Sequence, residues 1–185
     1  APTTAAPTTT PAPIINGLSF ANANVTSLTG LTEPFFCTVG NDPFIYCTSI
    51  GGCVIYQINR SINTALTIAG SCMSLNRTNI IVGVDQSTGE DGSPSSNAKL
   101  SRPSGITYDA STKRLYFSEE GAHRVRYITV LDHLIYHYAG ARNGSFGDIT
   151  GPTPTSDNSS SLHSPRGLDI ANGILYIAGT FVAHN

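Results

Sequence analysis

Short runs of alternating or β-branched apolar residues recur along the chain, each closed by a cluster of Gly, Pro, Asn or Asp. A period of two marks half-buried strands, and Gly/Pro/Asn/Asp clusters mark turns. Residues 35–39, 44–48, 53–58 and 65–69 are predicted as four strands. Residues 106–109, 114–118, 124–130 and 133–139 are predicted as four more, and 168–171 with 174–178 as a further pair. No window sustains the 3.6-residue spacing of an amphipathic helix, so the pattern predicts an all-β chain.

The two groups of four repeat one another. Leu31 and Pro34 match Leu100 and Pro103 at an offset of 69. Tyr46, Gly51, Ile58, Ala69 and Gly70 match Tyr116, Gly121, Ile128, Ala139 and Gly140 at an offset of 70. A third copy opens at Leu162, Pro165 and Gly167 and runs through Leu175 and Tyr176. Internal repetition at this scale points to blades or solenoid units that need neighbours to bury their faces.

The best-formed copy runs from Leu100-Ser-Arg-Pro-Ser-Gly-Ile-Thr-Tyr-Asp109 through Arg114-Leu-Tyr-Phe-Ser-Glu119 and His123-Arg-Val-Arg126 to Tyr138-Ala-Gly140. It resembles an NHL repeat, and the Gly-rich stretch from Gly89 to Pro94 resembles that family's connector. The resemblance covers about residues 31–185 and is strongest over 89–140. It implies a β-propeller of four-stranded antiparallel blades. The first copy departs from the family pattern. It carries Phe35-Phe36 where the family has Gly, and Cys53 where the family often has His. The acidic residue after the second strand is Glu119 in copy two but Ser49 and Gly179 in the others. His123 and His184 match the family's structural His.

The expected organisation is a Thr/Pro/Ala stalk over 1–13, a lone strand and connector over 14–30, and blades over 31–185. The blades span 31–70, 100–140 and, in part, 162–185, with connectors 71–99 and 141–161. Residues Ile14, Ile15, Leu18 and Phe20 are predicted to form one strand, placed where a preceding repeat would end. Closed propellers typically have about 4–8 blades. The lone strand is therefore expected to complete the unfinished blade of another copy by strand addition, head to tail, giving a ring or a filament. The competing expectation is that the chain is a portion of a longer propeller.

Composition changes this picture at the N-terminal side. Only Glu33, Asp42 and Arg60 are charged within residues 1–72, whereas the whole chain carries 22 charges, 10 basic and 12 acidic. Ser and Thr together number 41. Hydroxyls, sugars or a partner surface must satisfy water there. Residues 1–13 contain only Ala, Pro and Thr, a composition of extended O-glycosylated stalks, with Thr3, Thr4, Thr8, Thr9 and Thr10 as acceptors. Asn-x-Ser/Thr sequons stand at Asn24, Asn59, Asn76, Asn143 and Asn158. All four cysteines, Cys37, Cys47, Cys53 and Cys72, lie in this charge-poor region without metal-site spacing, so two disulfides in an oxidising compartment are expected. In the alignment Cys47 ends strand two and Cys53 begins strand three. That favours Cys47–Cys53 with Cys37–Cys72, and Cys37–Cys47 across the first hairpin is the rival.

The net charge of −2 offers no basic face for nucleic acid, and no 18-residue apolar run crosses a membrane. No nucleophile elbow, zincin helix, phosphate loop or dinucleotide fingerprint occurs. His133 and His137, predicted on one strand and one face beside Asp132, are a weak metal pair, more simply a solvated sheet surface. Asp85, Glu90 and Asp91 lie in a Gly-rich loop that does not follow the calcium-loop spacing. Asp169 stands alone. By alignment the axial positions are Phe35, Phe36, Gly105, Ile106, Gly167 and Leu168, a set without acid–base groups.

These features lead to the expectation of an extracellular, glycosylated structural protein, not an enzyme, with no cofactor and with copies of itself as partner. The alternative is the ligand- or carbohydrate-binding part of a larger secreted propeller. A propeller lyase or hydrolase is the weakest of the three readings.

Overall fold

The computed structural model describes residues 31–41, 43–62, 64–71, 91–140, 142 and 162–180, together with the backbone of two short strands near the N-terminus. Those two are β1 (Ile14–Ile15) and β2 (Leu18–Ser19), which pair antiparallel with Ile14 opposite Ser19. The lone strand expected over 14–20 is therefore replaced, where it is described, by a hairpin. Asn16-Gly17 joins the two halves in sequence, and Asn-Gly favours a two-residue reversal. Phe20 lies outside the described residues.

Blade one consists of β3 (Pro34–Val39), β4 (Phe44–Ser49), β5 (Val54–Asn59) and β6 (Thr64–Ala69), antiparallel and in sequence order. A short strand, β7 (Ser93–Pro94), precedes blade two. Blade two consists of β8 (Pro103–Asp109), β9 (Arg114–Glu119), β10 (Arg124–Thr129) and β11 (Leu134–Gly140). β7 adds to its outer edge beside β11, which covers an edge that would otherwise be open to pairing. The third repeat shows β12 (Gly167–Ala171) and β13 (Ile174–Ala178) as a hairpin. The fold is all-β, as expected, and built of antiparallel four-stranded sheets.

β8 packs against β3 and β4 on one side and against β12 on the other, so the first strands of successive repeats are the inner ones. In both full blades the inner strand carries a register shift at the same place, between Pro34 and Cys37 and between Pro103 and Ile106. Such a bulge bends a strand and re-aims its side chains.

The main core lies between blades one and two. Tyr46, Ile55, Ile68 and Ala69 meet Ile106, Leu115, Phe117, Ile128 and Ile135, with Ala98 and Leu100 of the connector closing the layer. Fully burying an aliphatic or aromatic side chain contributes about 1.5–3 kcal/mol. Ile106, aligned with the axial set, is thus a core residue rather than an axial lining. A smaller cluster of Cys47, Tyr56 and Ile58 lies on the far face of blade one.

Cys37 lies opposite Cys47 on adjacent strands, with Cα atoms 4.1 Å apart, and the two form a disulfide. The favoured Cys47–Cys53 pairing is overturned. The β5 residue opposite Cys47 is Tyr56, while Cys53 sits in the preceding turn. Cys53 is disulfide-bonded as well, and Cys72 lies outside the described residues.

Candidate ligand-binding face

Two hydroxyls join the blades by the same device. Thr48 Oγ1 on β4 donates to the Ser104 carbonyl at 2.6 Å, and Ser118 Oγ on β9 lies 3.4 Å from the Arg166 carbonyl. Each hydroxyl also accepts from the bulge of its own inner strand, from Phe36 N at 3.3 Å and Gly105 N at 2.8 Å. Thr48 and Ser118 are equivalent at the 70-residue offset. Gly105 is required at the second seam, because a Cβ there would run into the Arg166 carbonyl oxygen. Phe36 occupies the equivalent place in blade one and, with Phe35, forms a half-exposed edge-to-face pair.

Polar contacts strengthen the second seam. Arg166 pairs with Glu120 at 2.5 Å, and Ser164 N donates to His123 Nδ1 at 3.0 Å. Burial and the nearby His163 hold the His123 ring below its ordinary pKa, which keeps Nδ1 an acceptor. His123 and Cys53, equivalent at the offset of 70, both adopt left-handed backbone, with φ of 52° and 51°. Inside blade two, buried Glu119 meets Arg124 Nε at 2.8 Å and Arg126 Nη1 at 3.7 Å, and accepts from Ser101 N. These buried charges compensate one another, which is the condition for tolerating them.

On the face of blade one that carries Tyr46, a shallow groove of about 190 Å³ is lined by Phe44, Gln57, Asn59, Thr64 and Leu66. The same positions in blade two, 70 residues on, are Arg114, Tyr127, Thr129, Leu134 and Tyr136. They share one face of blade two with Tyr116 and Tyr138, since Tyr116, Tyr127 and Tyr136 stand opposite one another across the sheet. Ser118, on that same side of β9, is the residue that reaches toward blade three.

This face is a packed aromatic array. Tyr127 and Tyr136 stack with centroids 5.0 Å apart and planes 14° from parallel. Tyr116 lies 5.6 Å from Tyr127 and 5.0 Å from Tyr138, the latter edge to face. The Arg114 guanidinium sits 4.6 Å over the Tyr127 ring and shares a hydrogen bond with Tyr116. That hydrogen bond raises the Arg114 pKa further, and burial raises the Tyr127 and Tyr138 phenols. At neutral pH the array therefore combines a fixed cation, neutral phenol hydroxyls and ring faces. Tyr127, Tyr136 and Tyr138 are half-buried, whereas Tyr116 is buried. Sequence reasoning identified Tyr116 and Tyr138 only as repeat markers. The signal for the array was the clustering of four tyrosines, at 116, 127, 136 and 138, on three consecutive strands.

The predicted chemistry elsewhere is dispersed. His133 is in the turn before β11 with φ 56°, so it does not share a strand face with His137. Asp132 caps that turn, accepting from Thr129 and from Leu134 N. Asp91 pairs with Arg142 and accepts from His137 N, while Asp85 and Glu90 lie outside the described residues. Asp169 is exposed and accepts from Ile170 N. Among the described residues, no three His, Cys, Asp or Glu groups are placed to hold a metal, and no helix is long and apolar enough to cross a membrane. Of the sequons, Asn59 is described. It is half-buried at the end of β5 and its side-chain oxygen accepts from Ser61 N. Asn24, Asn76, Asn143 and Asn158, the stalk threonines and His184 lie outside the described residues.

No protein-family profile matches the chain, and no curated protein matches it in sequence. Its shape is similar to that of a protein of unknown function from Bacteroides thetaiotaomicron, at 18% identity and a TM-score of 0.55. That likeness covers 75% of this chain and 30% of the other. An auxiliary nutrient binding protein from the same organism aligns at 15% identity, with a TM-score of 0.49 over 72% of this chain and 32% of its own. Virginiamycin B lyase from Staphylococcus aureus aligns at 16% identity, with a TM-score of 0.39 over 80% and 42%. The chain thus spans under half the length of these structures. The antiparallel four-stranded sheets and the order of their inner strands are propeller-like, and the first of these structures shares the fold.

Proposed function

We propose that the chain supplies NHL-type blades to a larger extracellular β-propeller and that it acts in recognition, not in catalysis. The aromatic face of blade two, opening toward blade three, is the binding surface. The observation that carries this reading is the equivalence of the two seams. Where blade one lines the groove with Phe44, Gln57 and Leu66, blade two presents Arg114, Tyr127 and Tyr136. Stacked phenols offer flat apolar area and hydroxyls at low conformational cost, a combination suited to saccharide rings. The disulfides and the Thr/Pro-rich N-terminal composition support a secreted setting.

The chain has no tryptophan, and four of its eight tyrosines lie on this face, so tyrosine emission responds to a ligand there. Titration with a panel of oligosaccharides is expected to perturb that emission saturably. Replacing Tyr127 and Tyr136 together by Ala is expected to weaken binding about tenfold or more, two stacking contacts at about 0.5–1.5 kcal/mol each. Leu66→Ala, in the equivalent groove of blade one, is expected to leave binding unchanged. An unresponsive panel, or equal loss in both variants, removes the reading.

A second reading is self-association. Val39, Phe35 and Phe36 are exposed on blade one, and Ile174 and Tyr176 are exposed on the β13 side of the third repeat. Faces left open on the first and third repeats suit head-to-tail contact between copies. This retains the expected partner while replacing strand donation by face packing, since β1 and β2 already pair with each other. Sedimentation across a wide dilution range is expected to show a mass that rises with concentration. A constant monomer mass counts against it.

A further inference from the structure

The recognition reading leaves open what the ligand carries, and Arg114 addresses this. We infer that the ligand of the blade-two face is an acidic saccharide whose carboxylate pairs with Arg114 while its ring packs against Tyr127 and Tyr136. The inference rests on the recognition reading and narrows it to a chemical class.

Arg114 is held on two sides by neutral groups, the Tyr127 ring and the Tyr116 hydroxyl. Among the described residues no carboxylate forms an ion pair with it. Its cross-strand neighbour is Asp109, the obvious candidate for neutralisation. The Asp109 carboxylate turns instead to its own turn, accepting from Ser111 N at 2.9 Å, Ser111 Oγ at 2.6 Å and Thr112 Oγ1 at 2.6 Å. The other arginines in and beside blade two show the contrast. Arg124 and Arg126 both share Glu119. Arg102 and Arg166 share Glu120.

Arg114 is therefore a positioned cation that feels the Asp109 charge through space but, among the described residues, makes no ion pair with a carboxylate. Two features point from the cation to its ligand. A guanidinium binds a carboxylate through parallel N–H donors, which gives both affinity and orientation. The rings beside it are stacked and half-buried, so a ligand that reaches the cation also covers Tyr127 or Tyr136. At the equivalent position of the first seam stands Phe44, which offers no such charge. The face is thus specific to blade two and is not a general property of the repeat.

The test compares a trimer of galacturonic acid with the neutral galactose trimer by calorimetry on the full chain. At low salt the acidic trimer is expected to bind about tenfold more tightly. Added salt is expected to reduce that preference, because it screens a half-exposed pair. Arg114→Gln is expected to abolish the difference between the two trimers. Arg114→Lys keeps the charge without the fork and is expected to retain part of it, which separates loss of charge from loss of fold. Equal binding of both trimers by the unaltered chain overturns the carboxylate inference and leaves recognition standing. A preference that persists in Arg114→Gln also overturns it. Failure of both trimers to bind overturns the inference and the recognition reading together.

Discussion

A histidine ring whose two nitrogens are both shut away from water and from hydrogen-bond partners is a poor host for a proton. His137 is in that position on β11. Burial pushes its pKa down to about 4, and Arg142 and Arg124 push in the same direction, outweighing Asp91 and the Gly140 backbone, which lies outside good hydrogen-bond geometry. The unfolded chain protonates the ring near the ordinary 6.5. A depressed histidine pKa means that the unfolded state binds the proton first. Stability from this group is therefore full above about pH 6.5 and is lost as pH falls toward about 4. His137→Phe removes the titration and two unsatisfied nitrogens. Urea unfolding at pH 7.5 and 4.5 is expected to show a smaller acid loss in this variant than in the unaltered chain. Equal losses would place the acid sensitivity elsewhere. Asp109 does not confuse the comparison, because hydrogen bonds from Ser111 and Thr112 hold its carboxyl near 2, below the range tested.

Between strands, the close approach at the second seam is the most demanding feature. Gly105 lies against the Arg166 carbonyl and the Leu168 backbone of the next repeat. A methyl group there must displace β12 rather than a flexible side chain. Gly105→Ala is expected to cost about 1–3 kcal/mol, the usual range for overpacking. Gly167→Ala is the comparison. Its added Cβ would meet only the Ala178 Cβ, at 3.3 Å, and a smaller loss is expected. Denaturant midpoints measure the two losses. Equal midpoints would mean that the third repeat does not lean on blade two as described. The element scale also explains where reading the sequence succeeded. Strand positions were legible because alternation and turn residues are local properties. The pairing of Cys37 with Cys47 was legible only as the rival of two alternatives, because it depends on a bulge at Pro34–Cys37 that sets which residue faces Cys47. A one-residue change of register moves a side chain to the other face, and no local pattern announces a bulge. The pairing of β1 with β2 was legible in principle, since the Asn-Gly dipeptide between them in sequence is a strong turn signal that argues against one continuous strand.

Across the whole molecule, the repeat was visible because equivalent positions meet equivalent surroundings. Tyr46 and Tyr116 are buried in successive seams, and Ala69 and Ala139 are buried near the ends of the outer strands. The binding face was not visible as such. Arg114, Tyr127 and Tyr136 are far apart in the chain and become one surface only when three strands are laid side by side in register. The hydroxyl contacts at the seams were equally hidden, because each reaches a carbonyl of the next repeat and not a recognisable side-chain partner. That last property has a consequence for how such a chain comes to exist. Every residue of the receiving strand carries a carbonyl, whatever its side chain. A blade that keeps Thr or Ser at this position thus imposes almost no sequence requirement on its successor. Copies produced by tandem duplication of a gene segment dock from the first generation onward. Their open positions are then free to diverge, as Tyr127 and Tyr136 of one blade and Gln57 and Leu66 at the matching places of its neighbour have done.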